Sequence, residues 1–575
     1  MVEFSNKLDF TKALSRDLTD PAIYKYGKEW PVVYMIYNDN EVYIGETVDA
    51  SIRMSQHIKN KDRQRLKKVV LISDETYNKS VIQDLESYLI SHAAADTRFA
   101  TLQNGNAGHQ KHNYYNKEVY EASFKSIWDE LIKNYQLAEQ EVSKIENSNI
   151  FKYSPYKTLT TDQYDIARAI VTHLADDLKK EDGRSFFVNG APGTGKTILG
   201  IYLMKLLTTK VEDDLDSEDE ALIEKLKDIH TVTKGKLKIG IVVSMENLRK
   251  ILKDTFKHVH GLNAGMVLSP SEVARSKELY DVLIVDEAHR LKARRNMSGF
   301  ELKTMENNNI LLGLDKEKGT QLDWIIARSK NQIFFYDKNQ SIKKTDIDGD
   351  RFISAMNEVG NITYNLSTQI RCFAGGEKYI EYIKQIFSNR DNKKKVTFDG
   401  YDVRMFDDVD EMVQDIRKKD VKYGLCRTVA GYAWDWKTKD KIDPKDVKET
   451  EECIENGLWD IEIDGHKYIW NVHFDGWVGT PNSVNEIGCI HTIQGFDLNY
   501  AGVIIGNELK YDPETDKIYV DRANYRDSNG KNSTNDEDLL QYVFNIYSVL
   551  CTRGIKGTYI YVCDKELRKY LSQFF

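Results

Sequence analysis

The feature that most constrains this chain is the octapeptide Gly-Ala-Pro-Gly-Thr-Gly-Lys-Thr at residues 190–197. An apolar run comes directly before it, and an apolar helix-like segment comes directly after it. Glycines let the backbone N–H groups of such a loop turn inward around phosphate oxygens, and the positive end of the following helix adds to the attraction. This strand–loop–helix pattern predicts an α/β fold with a parallel sheet that binds a nucleoside triphosphate. The candidate binding residues are Gly190, Gly193 and Gly195 in the loop, Lys196 for the β- and γ-phosphates, and Thr197 for Mg²⁺.

An acidic partner for this loop ends a second apolar run. Residues 281–286 read Asp-Val-Leu-Ile-Val-Asp, and Glu287 follows. This β-branched composition is typical of a buried parallel strand, whose carboxyl end is where such sheets bind their ligands. We therefore expect Asp286 to hold Mg²⁺ and Glu287 to orient the water that attacks the γ-phosphate. The plainer interpretation is an acidic turn after a core strand.

The segment from about residue 159 to the C-terminus resembles the motors of superfamily 1 helicases, with similar motifs in the same order. The tetrad Asp-Glu-Ala-His at residues 286–289 resembles their second motif. Residues 238–244 stand at the place of the motif that touches the nucleic-acid backbone. Gln163 resembles the glutamine that reads the adenine edge, and an ordinary position near a helix N-cap is the alternative for it.

Two further segments resemble the third and fourth motifs. In residues 332–340, the resemblance implies that Asp337 and Gln340 sense the γ-phosphate. Tyr336 stands where many helicases have glycine. In residues 366–371, Arg371 would reach the phosphates.

The fifth and sixth motifs have the closest counterparts. Residues 490–497 read Ile-His-Thr-Ile-Gln-Gly-Phe-Asp, and there Thr492, Gln494 and Gly495 would couple contact with a strand to the nucleotide state. In the sixth motif, Arg553 would supply a planar cation that neutralises charge on the transferring phosphoryl group. Any one of these segments alone is compatible with a core strand that has a polar end.

These motifs imply two RecA-like parallel-sheet lobes, at about residues 155–360 and 361–575, with ATP bound between them. The motor resembles a bacterial P-loop family related to the Schlafen-type helicase domain. Residues 116–150 have apolar positions at helical spacing and predict a connecting helix, which lies in a linker at 113–154. Residues 1–112 are expected to form a separate small α+β domain.

The N-terminal domain contains a second set of candidate catalytic residues. Residues 31–38 and 41–47 alternate in hydropathy around the turn Asn-Asp-Asn and predict a β-hairpin. A predicted helix follows, in which Arg53 and His57 lie four residues apart and therefore on one face. A second predicted helix carries Glu86.

Together with Tyr34, Tyr43 and Asn104, these residues resemble the GIY-YIG nuclease domain. The first triplet of that motif, residues 32–34, reads Val-Val-Tyr here, without the glycine and the isoleucine. The second triplet, residues 43–45, is an intact Tyr-Ile-Gly. Asn104 would brace the site. The alternatives are a small domain with ordinary surface tyrosines, or a fold that binds nucleic acid without cutting it.

The residue types suit phosphodiester cleavage. Glu86 can hold one divalent metal, Mg²⁺ or alternatively Mn²⁺, that polarises the scissile phosphate. By resemblance, Tyr34 would help to activate the attacking water, with Tyr43 and His57 as proton-relay or positioning groups. Arg53 can pair with the phosphate and stabilise charge in the transition state.

A basic segment follows His57 and is a candidate binding surface for a nucleic-acid backbone. A solvated helix face is the alternative. Its cations are Lys59, Lys61, Arg63, Arg65, Lys67 and Lys68.

Composition limits the remaining possibilities. With 41% hydrophobic and 30% charged residues and no apolar run of membrane-spanning length, the 575-residue chain is expected to be soluble. Six scattered cysteines without a C-x-x-C pair favour free thiols in the cytoplasm. Since the net charge is −9, contact with nucleic acid must come from local basic grooves.

The sequence therefore predicts an ATP-dependent helicase or translocase joined to an endonuclease. DNA is favoured over RNA by the family resemblance. Bacterial defence against phage and DNA repair are competing roles, and a homo-oligomer or a defence-system partner protein stays open. Two alternatives also stay open: ATP switches the nuclease without unwinding, or the N-terminal domain binds nucleic acid without cutting it.

Overall fold

The computed structural model describes residues 2–105, 114–190, 193–209, 219–295, 297, 299–337, 346–347, 349–368, 376–388, 394–398, 400–439, 441–442, 450–472, 477–493, 496–527, 531 and 535–575. These residues form two compact units, Met1–Ser367 and Thr368–Phe575. The first unit contains both the N-terminal candidate residues and the phosphate loop.

The first unit begins with a six-stranded sheet. Its strands are β1 (Glu3–Phe4), β2 (Leu8–Asp9), β3 (Val32–Tyr37), β4 (Glu41–Thr47), β5 (Lys68–Ser73) and β6 (Thr101–Leu102). The order across the sheet is β1-β5-β3-β4-β6, and β2 also pairs with β5. Strands β3 and β4 form the predicted hairpin, in which Tyr34 stands opposite Gly45.

Three helices accompany this sheet: α1 (Leu14–Asp17), α2 (Ala50–Lys59) and α3 (Lys79–Ala93). Alternate residues of a strand point to opposite faces. Tyr34 accordingly shares an apolar cluster with Met54 of α2, whereas Val33 shares one with Leu85 of α3. The carboxylate of Asp49 accepts a hydrogen bond from the backbone N–H of Ile52, and this cap starts α2.

The structure divides the predicted connecting helix into several pieces. They are α4 (Lys117–Glu130), a π-helical turn (Leu131–Tyr135), α5 (Val142–Asn147) and α6 (Asn149–Lys152). The break follows from Gln136, which adopts a left-handed conformation with φ of 54°. Trp128 is fully buried and donates to the carbonyl of Gln140 at 2.9 Å, which fixes the chain after the break.

The remainder of the first unit is a parallel α/β sheet. Its strands are β7 (Ser185–Gly190), β8 (Ile239–Val243), β9 (Val267–Leu268), β10 (Tyr280–Asp286), β11 (Ser329–Tyr336) and β12 (Ile362–Leu366), in the order β12-β7-β11-β10-β8-β9. Every pairing within it is parallel. The helices are α7 (Thr161–Lys180), α8 (Lys196–Thr208), α9 (Glu220–Thr233), α10 (Glu246–Lys257), α11 (Pro270–Arg275), α12 (Gly299–Leu311), α13 (Gln321–Ala327) and α14 (Gly349–Met356).

The second unit is built on another parallel sheet. Its strands are β13 (Asp402–Phe406), β14 (Cys426–Ala430), β17 (Ile487–Gly488), β18 (Leu498–Ile505) and β21 (Gly554–Val562), in the order β13-β21-β18-β14-β17. Two antiparallel hairpins form separate two-stranded sheets, β15 (Ile461–Ile463) with β16 (His466–Tyr468) and β19 (Leu509–Asp512) with β20 (Lys517–Val520). The helices are α15 (Gly376–Ile386), α16 (Val409–Tyr423), α17 (Thr450–Glu455), α18 (Ile490–Ile493), α19 (Asp536–Cys551) and α20 (Lys565–Leu571).

One apolar core runs through most of the first unit. It includes Val33 and Leu85 of the N-terminal domain, Trp128 of the connecting segment, and Ile170 and Val188 of the parallel-sheet domain. The predicted fold class, a small α+β domain followed by two RecA-like parallel-sheet lobes, is confirmed. Among the described residues, no helix is both long and apolar enough to cross a membrane.

Candidate functional site

The phosphate loop begins where β7 ends at Gly190. Gly193 and Gly195 have φ of 85° and 74°, a region that glycine enters without steric cost. Helix α8 starts at Lys196, whose Nζ donates to the carbonyl oxygen of Gly190 at 2.6 Å. The ammonium group therefore lies inside the curve of the loop, where a phosphate oxygen can replace the carbonyl. Residues 191 and 192 lie outside the described residues.

The next residue of α8 reaches the acidic end of β10. Oγ1 of Thr197 donates to Oδ2 of Asp286 at 2.9 Å. Asp286 is fully buried, and its other carboxylate oxygen has no hydrogen-bond partner among the described residues. Burial, and then the charge of Glu287, raises the pKa of Asp286. The hydroxyl of Thr197 beside a buried carboxylate with an unused oxygen fits Mg²⁺, which prefers oxygen ligands.

Glu287 is held as a charged carboxylate. Its Oε2 lies 2.9 Å from Nε2 of His289 and 3.4 Å from Nε of Arg290. Burial alone would raise its pKa, but the charges of His289 and then Arg290 hold the pKa of Glu287 well below its ordinary value. Its backbone is left-handed, with φ of 51°, which turns the chain directly after Asp286.

Gln163 contacts the phosphate loop directly. Its Nε2 donates to the carbonyl oxygen of Thr194 at 2.8 Å, and its Oε1 accepts from the backbone N–H of Thr160 at 3.0 Å. Gln163 is 1% exposed. Both ends of its amide are therefore engaged within the protein, and contact with adenine remains a prediction.

The other helicase-like residues are only partly described. Asp337 follows β11 and is buried. Arg553 precedes β21 in the second unit and is also buried, with Nη1 3.5 Å from the carbonyl oxygen of Phe496. Thr492 is buried in α18. Four predicted residues, Gln340, Arg371, Gln494 and Gly495, lie outside the described residues.

A second candidate site surrounds the hydroxyl of Tyr34, a fully buried residue of β3. Nε2 of His57 lies 2.6 Å from Oη of Tyr34, and Nε of Arg53 donates to the same oxygen at 3.2 Å. The ring centroid of Tyr43 lies 6.2 Å from that of Tyr34 and 5.2 Å from that of His57. The structure thus brings Tyr34, Tyr43, Arg53 and His57 together, and we call these four residues the tyrosine cluster.

Gly45 makes room for this cluster. It stands opposite Tyr34 across the hairpin, and a Cβ atom at Gly45 would lie 2.3 Å from the Tyr34 hydroxyl. In the first triplet, Val32 stands at the position of the usual glycine. Its side chain is fully buried in the apolar cluster that contains Tyr34. The departure from the usual triplet is therefore absorbed by core packing.

Arg63 also contacts the tyrosine cluster, although the sequence places it in a basic surface segment. It is 4% exposed, and its Nη1 contacts Nδ1 of His57. The centre of its guanidinium lies 3.5 Å from the ring centroid of Tyr43. The local signal for this arrangement is Asn60, whose side chain caps the short 3₁₀ turn Lys61–Arg63 and reverses the chain after α2.

The rest of the basic segment lies at the surface. Arg65 pairs with Glu41, and Lys68 pairs with Asp9 at 2.7 Å. The exposed members are Lys59, Lys61, Arg65 and Lys67.

The surroundings set the protonation of the tyrosine cluster. Burial, followed by the influence of Tyr43, raises the pKa of Tyr34 well above its ordinary value, although Arg53 opposes this. Burial and the positive charges of Arg63 and Arg53 lower the pKa of His57 to about 2. At neutral pH, Tyr34 therefore keeps its proton and His57 is a neutral imidazole.

Glu86 of α3 lies beside a second carboxylate that the sequence did not indicate. Burial, and then the charge of Glu46, raises the pKa of Glu86 to about 8. Glu46 pairs with Lys79, and its Oε2 is buried with no hydrogen-bond partner among the described residues. A divalent cation would relieve the repulsion between the carboxylates of Glu46 and Glu86 and could bind Oε2 of Glu46. These two residues therefore fit one metal ion. No group of three or more His, Cys, Asp or Glu side chains that could hold a metal ion occurs within the described part of the chain.

Asn104 clamps the strand that carries the second triplet. Its Oδ1 accepts from the backbone N–H of Ile44 at 3.1 Å, and its Nδ2 donates to the Ile44 carbonyl at 2.7 Å. The hydroxyl of Tyr156 donates to the backbone carbonyl of Asn104 at 3.2 Å. Thr209, directly after α8, donates from its hydroxyl to the carbonyl of Gly105 at 3.3 Å. The phosphate-loop helix and the N-terminal strand are therefore joined through residues 104 and 105.

Two family models match this chain. The model of the Schlafen group 3 DNA/RNA helicase domain matches residues 183–564, which is more than half of the chain. The model of the GIY-YIG catalytic domain matches residues 31–100. The two matches cover the phosphate loop, the acidic end of β10, Arg553, the tyrosine cluster and Glu86.

Individual similar proteins are more distant. An uncharacterised protein of Saccharomyces cerevisiae, YPL245W, is 26% identical over 457 residues, covering 72% of this chain and 90% of the yeast protein. Domain III of the Thermotoga maritima replication initiation protein DnaA is 14% identical, with a TM-score of 0.20, over 41% of this chain and 72% of that domain. The Arterivirus nonstructural protein 10 helicase, solved with DNA, is 13% identical, with a TM-score of 0.24, over 70% of this chain and 65% of that one. At these TM-scores neither solved structure supports an argument about this chain.

Proposed function

This chain belongs to the family of the Schlafen group 3 DNA/RNA helicase domain and carries a GIY-YIG catalytic domain before it, and we propose that it is an ATP-dependent helicase or translocase coupled to a metal-dependent endonuclease. The observation that carries the proposal is that one compact unit, Met1–Ser367, holds both candidate sites. One is the phosphate loop with the Thr197–Asp286 pair, and the other is the tyrosine cluster with Glu86.

In the proposed ATPase, each residue of the first site has a role that its contacts support. Lys196 binds the β- and γ-phosphates, and Thr197 with Asp286 holds Mg²⁺, which neutralises phosphate charge when it is bound. Glu287, kept ionised by His289 and Arg290, orients the attacking water. Asp337 would sense the γ-phosphate, as its resemblance implies.

The residues outside this site complete the proposed ATPase by resemblance. Arg553 and Arg371 would stabilise charge on the transferring phosphoryl group. Gln340, Gln494 and Gly495 would respond to the nucleotide. Gln163 would hold the phosphate loop through Thr194 and would also contact the adenine edge.

In the proposed nuclease, Glu86 holds one divalent cation, Mg²⁺ or Mn²⁺, that polarises the scissile phosphate and stabilises the leaving oxygen when it is bound. Once Tyr34 has lost its own proton to solvent, it takes a proton from the attacking water, with Tyr43 and His57 positioning it. Arg53 is half-buried and pairs with the phosphate. Asn104 keeps the second triplet in place through Ile44.

The substrate we propose is DNA, with RNA as the second choice. This preference rests on analogy with other GIY-YIG domains and not on a contact in this chain. A nuclease joined to an ATPase suits bacterial defence against phage or other foreign DNA, and DNA repair is the competing role. A second copy of the chain or a partner protein of a defence system would be compatible with either role.

A substrate panel tests the proposal. Single- and double-stranded DNA and RNA are incubated with Mg²⁺ or Mn²⁺, with and without ATP. Glu86→Gln should lower cleavage by about a hundredfold or more and retain ATP hydrolysis, because it removes the carboxylate that binds the metal. Glu75→Gln, an exposed carboxylate of the same domain, is the matched control. Cleavage by Glu86→Gln at the wild-type rate would contradict the assignment of the nuclease site.

A second candidate function is a nuclease that ATP switches on or off without unwinding. The contact of Thr209 with Gly105 favours it, since it joins the end of the phosphate-loop helix to the residue after Asn104, which holds the strand of the second triplet. Strand displacement on tailed duplexes separates the two functions. A switch would hydrolyse ATP and change the cleavage rate while displacing no strand, whereas a helicase would displace it.

A further inference from the structure

We propose that Arg63 is a positioning residue that fixes His57 in the tautomer with its proton on Nε2, so that both His57 and Arg53 donate hydrogen bonds to the oxygen of Tyr34. The inference deepens the proposed nuclease function and rests on it. Arg63 is outside the residues that carry the resemblance to the GIY-YIG domain, and it acts through His57 and not on the substrate.

The first step concerns the proton on His57. A guanidinium group has only donors and stays charged at any ordinary pH. Because Nη1 of Arg63 contacts Nδ1 of His57, that ring nitrogen must be the acceptor and has no proton. A neutral imidazole has one proton, which is therefore on Nε2.

The second step concerns the oxygen of Tyr34. Nε2 of His57 lies 2.6 Å from it, so the Nε2–H group donates to Tyr34. Arg53 donates to the same oxygen from Nε at 3.2 Å. Two donors, one of them charged, also stabilise the phenolate, the form that can accept a proton.

The balance of the reaction follows from this arrangement. Tyr34 first gives its own proton to solvent. The resulting phenolate takes a proton from the attacking water while the water oxygen forms a bond to phosphorus, which returns Tyr34 to its protonated form. The bond from phosphorus to the leaving oxygen breaks, and that oxygen takes its proton from solvent. With the opposite tautomer of His57, Tyr34 would donate to Nε2 and lose one of the two hydrogen bonds that favour its ionised form.

The position of Arg63 is itself well determined. Its guanidinium stacks on Tyr43 at 3.5 Å from the ring centroid, and its side chain is nearly inaccessible to solvent. Cation–π contacts of this kind are strongest where water is excluded. The second tyrosine of the motif therefore serves as a platform for Arg63.

Several charged or titratable groups on neighbouring elements affect the pH dependence of Tyr34 and His57. Tyr43 on β4, Arg53 on α2 and Glu86 on α3 act on Tyr34, and Arg53 and Arg63 act on His57. Glu46 on β4 and Lys79 on α3 act in turn on Glu86.

The tautomer can be read without any cleavage assay. The 575-residue chain is labelled with ¹³C-histidine, and the ring signals of His57 are assigned by their loss in His57→Gln. Wild-type His57 should show the pattern of the Nε2–H tautomer, and Arg63→Met should shift it toward the Nδ1–H tautomer. Arg16→Met, an exposed arginine of the same domain, should leave it unchanged. A wild-type Nδ1–H or charged ring, or an Arg63→Met spectrum equal to wild type, would overturn the proposal.

The pH profile of cleavage provides the second readout. Loss of one donor should make Tyr34 harder to ionise, so the rising limb for Arg63→Met should move up by about one pH unit. Arg63→Lys keeps a donor and should restore most of the profile. An equal loss at every pH, with an unmoved profile, would indicate a structural role and overturn the proposal.

The two readouts separate this inference from the function on which it rests. If the wild-type protein cuts no nucleic acid, the proposed function fails, while the ring signals of His57 still decide the tautomer. Circular dichroism and ATP hydrolysis show whether Arg63→Met folds. If it does not fold, the His57 tautomer in the wild-type spectrum and the pH profile of Arg63→Lys test the proposal.

Discussion

At the scale of single residues, Lys196 makes a contact that is easy to test. In this structure its ammonium group binds the Gly190 carbonyl, and a triphosphate would take over that bond. Lys196→Ala should lower ATP hydrolysis by about a hundredfold or more, because the proposed phosphate site loses the ammonium group that lies in the loop. A phosphate-release assay measures the loss. Lys257→Ala, which removes an exposed lysine from the same unit, is the control, and undiminished turnover by Lys196→Ala would refute the assignment of the loop.

Glu86 gives the second prediction at this scale. Since its pKa is raised to about 8, the carboxyl group is mostly protonated at pH 6, and a metal must displace that proton. As the pH increases from 6 to 8, the apparent affinity for Mn²⁺ should therefore rise by up to about tenfold per pH unit. Above pH 8 the affinity should become constant. Calorimetric titrations at pH 6, 7, 8 and 9 measure the trend. A flat profile from pH 6 to 8 would show that Glu86 is already ionised.

The sequence indicates some of the site residues and not others. The sequence indicates Lys196, Thr197 and Asp286, because their spacing from apolar strands places them at the ends of neighbouring elements. It did not indicate that Gln163 bonds to the Thr194 carbonyl, or that Arg63 turns inward to His57. Both contacts depend on how the chain returns after a helix, and no periodic pattern encodes that direction.

At the scale of elements, the hairpin of β3 and β4 sets the shape of the candidate nuclease site. Its register puts Gly45 opposite Tyr34, and the Tyr34 ring covers the glycine. Gly45→Ala should displace the Tyr34 hydroxyl and lower cleavage by about tenfold or more, at a stability cost of about 1–3 kcal/mol for the added methyl group. ATP hydrolysis should be unchanged. Gly299→Ala, where a new Cβ meets no atom within 4 Å, is the matched control.

The clamp on β4 can be removed in the same way. Asn104→Ala leaves the N–H and the carbonyl of Ile44 without their side-chain partner, which should cost about 1–3 kcal/mol and lower the melting temperature. Cleavage should fall with it, because the second triplet loses its support. Gln103→Ala, which removes an amide that contacts Glu41 near the surface, is the control. Equal melting temperatures for both variants would contradict the clamp.

The elements themselves were largely readable from the sequence. Alternating hydropathy predicts the hairpin of β3 and β4, and a β-branched run predicts β10. The sequence did not predict the break in the segment 116–150. Its apolar spacing continues across Gln136, whereas the helix of the structure ends there. Hydrophobic periodicity records which side is buried, and it does not record a single residue in a left-handed conformation.

At the scale of the whole molecule, the continuous apolar core of the first unit leads to a prediction about fragments. Tyr88 and His92 of α3 pack against Phe124 and Trp128 of α4, with ring centroids 5.5 Å and 5.4 Å apart. Residues 1–112 alone would expose this face to water and should aggregate or lack a cooperative unfolding transition. Residues 1–367 keep the whole core and should unfold cooperatively. Differential scanning calorimetry and size-exclusion chromatography of both fragments provide the test, and a monomeric, cooperative 1–112 would contradict the prediction.

The shared core also limits how this protein can change over evolutionary time. A gene that exchanged its first hundred or so codons for those of an unrelated enzyme would leave Phe124 and Trp128 facing a surface shaped for other partners. Successful recombination would have to carry the connecting helices along with the N-terminal sheet. Gradual substitution is therefore an easier route to a changed N-terminal site here than replacement of the whole N-terminal domain.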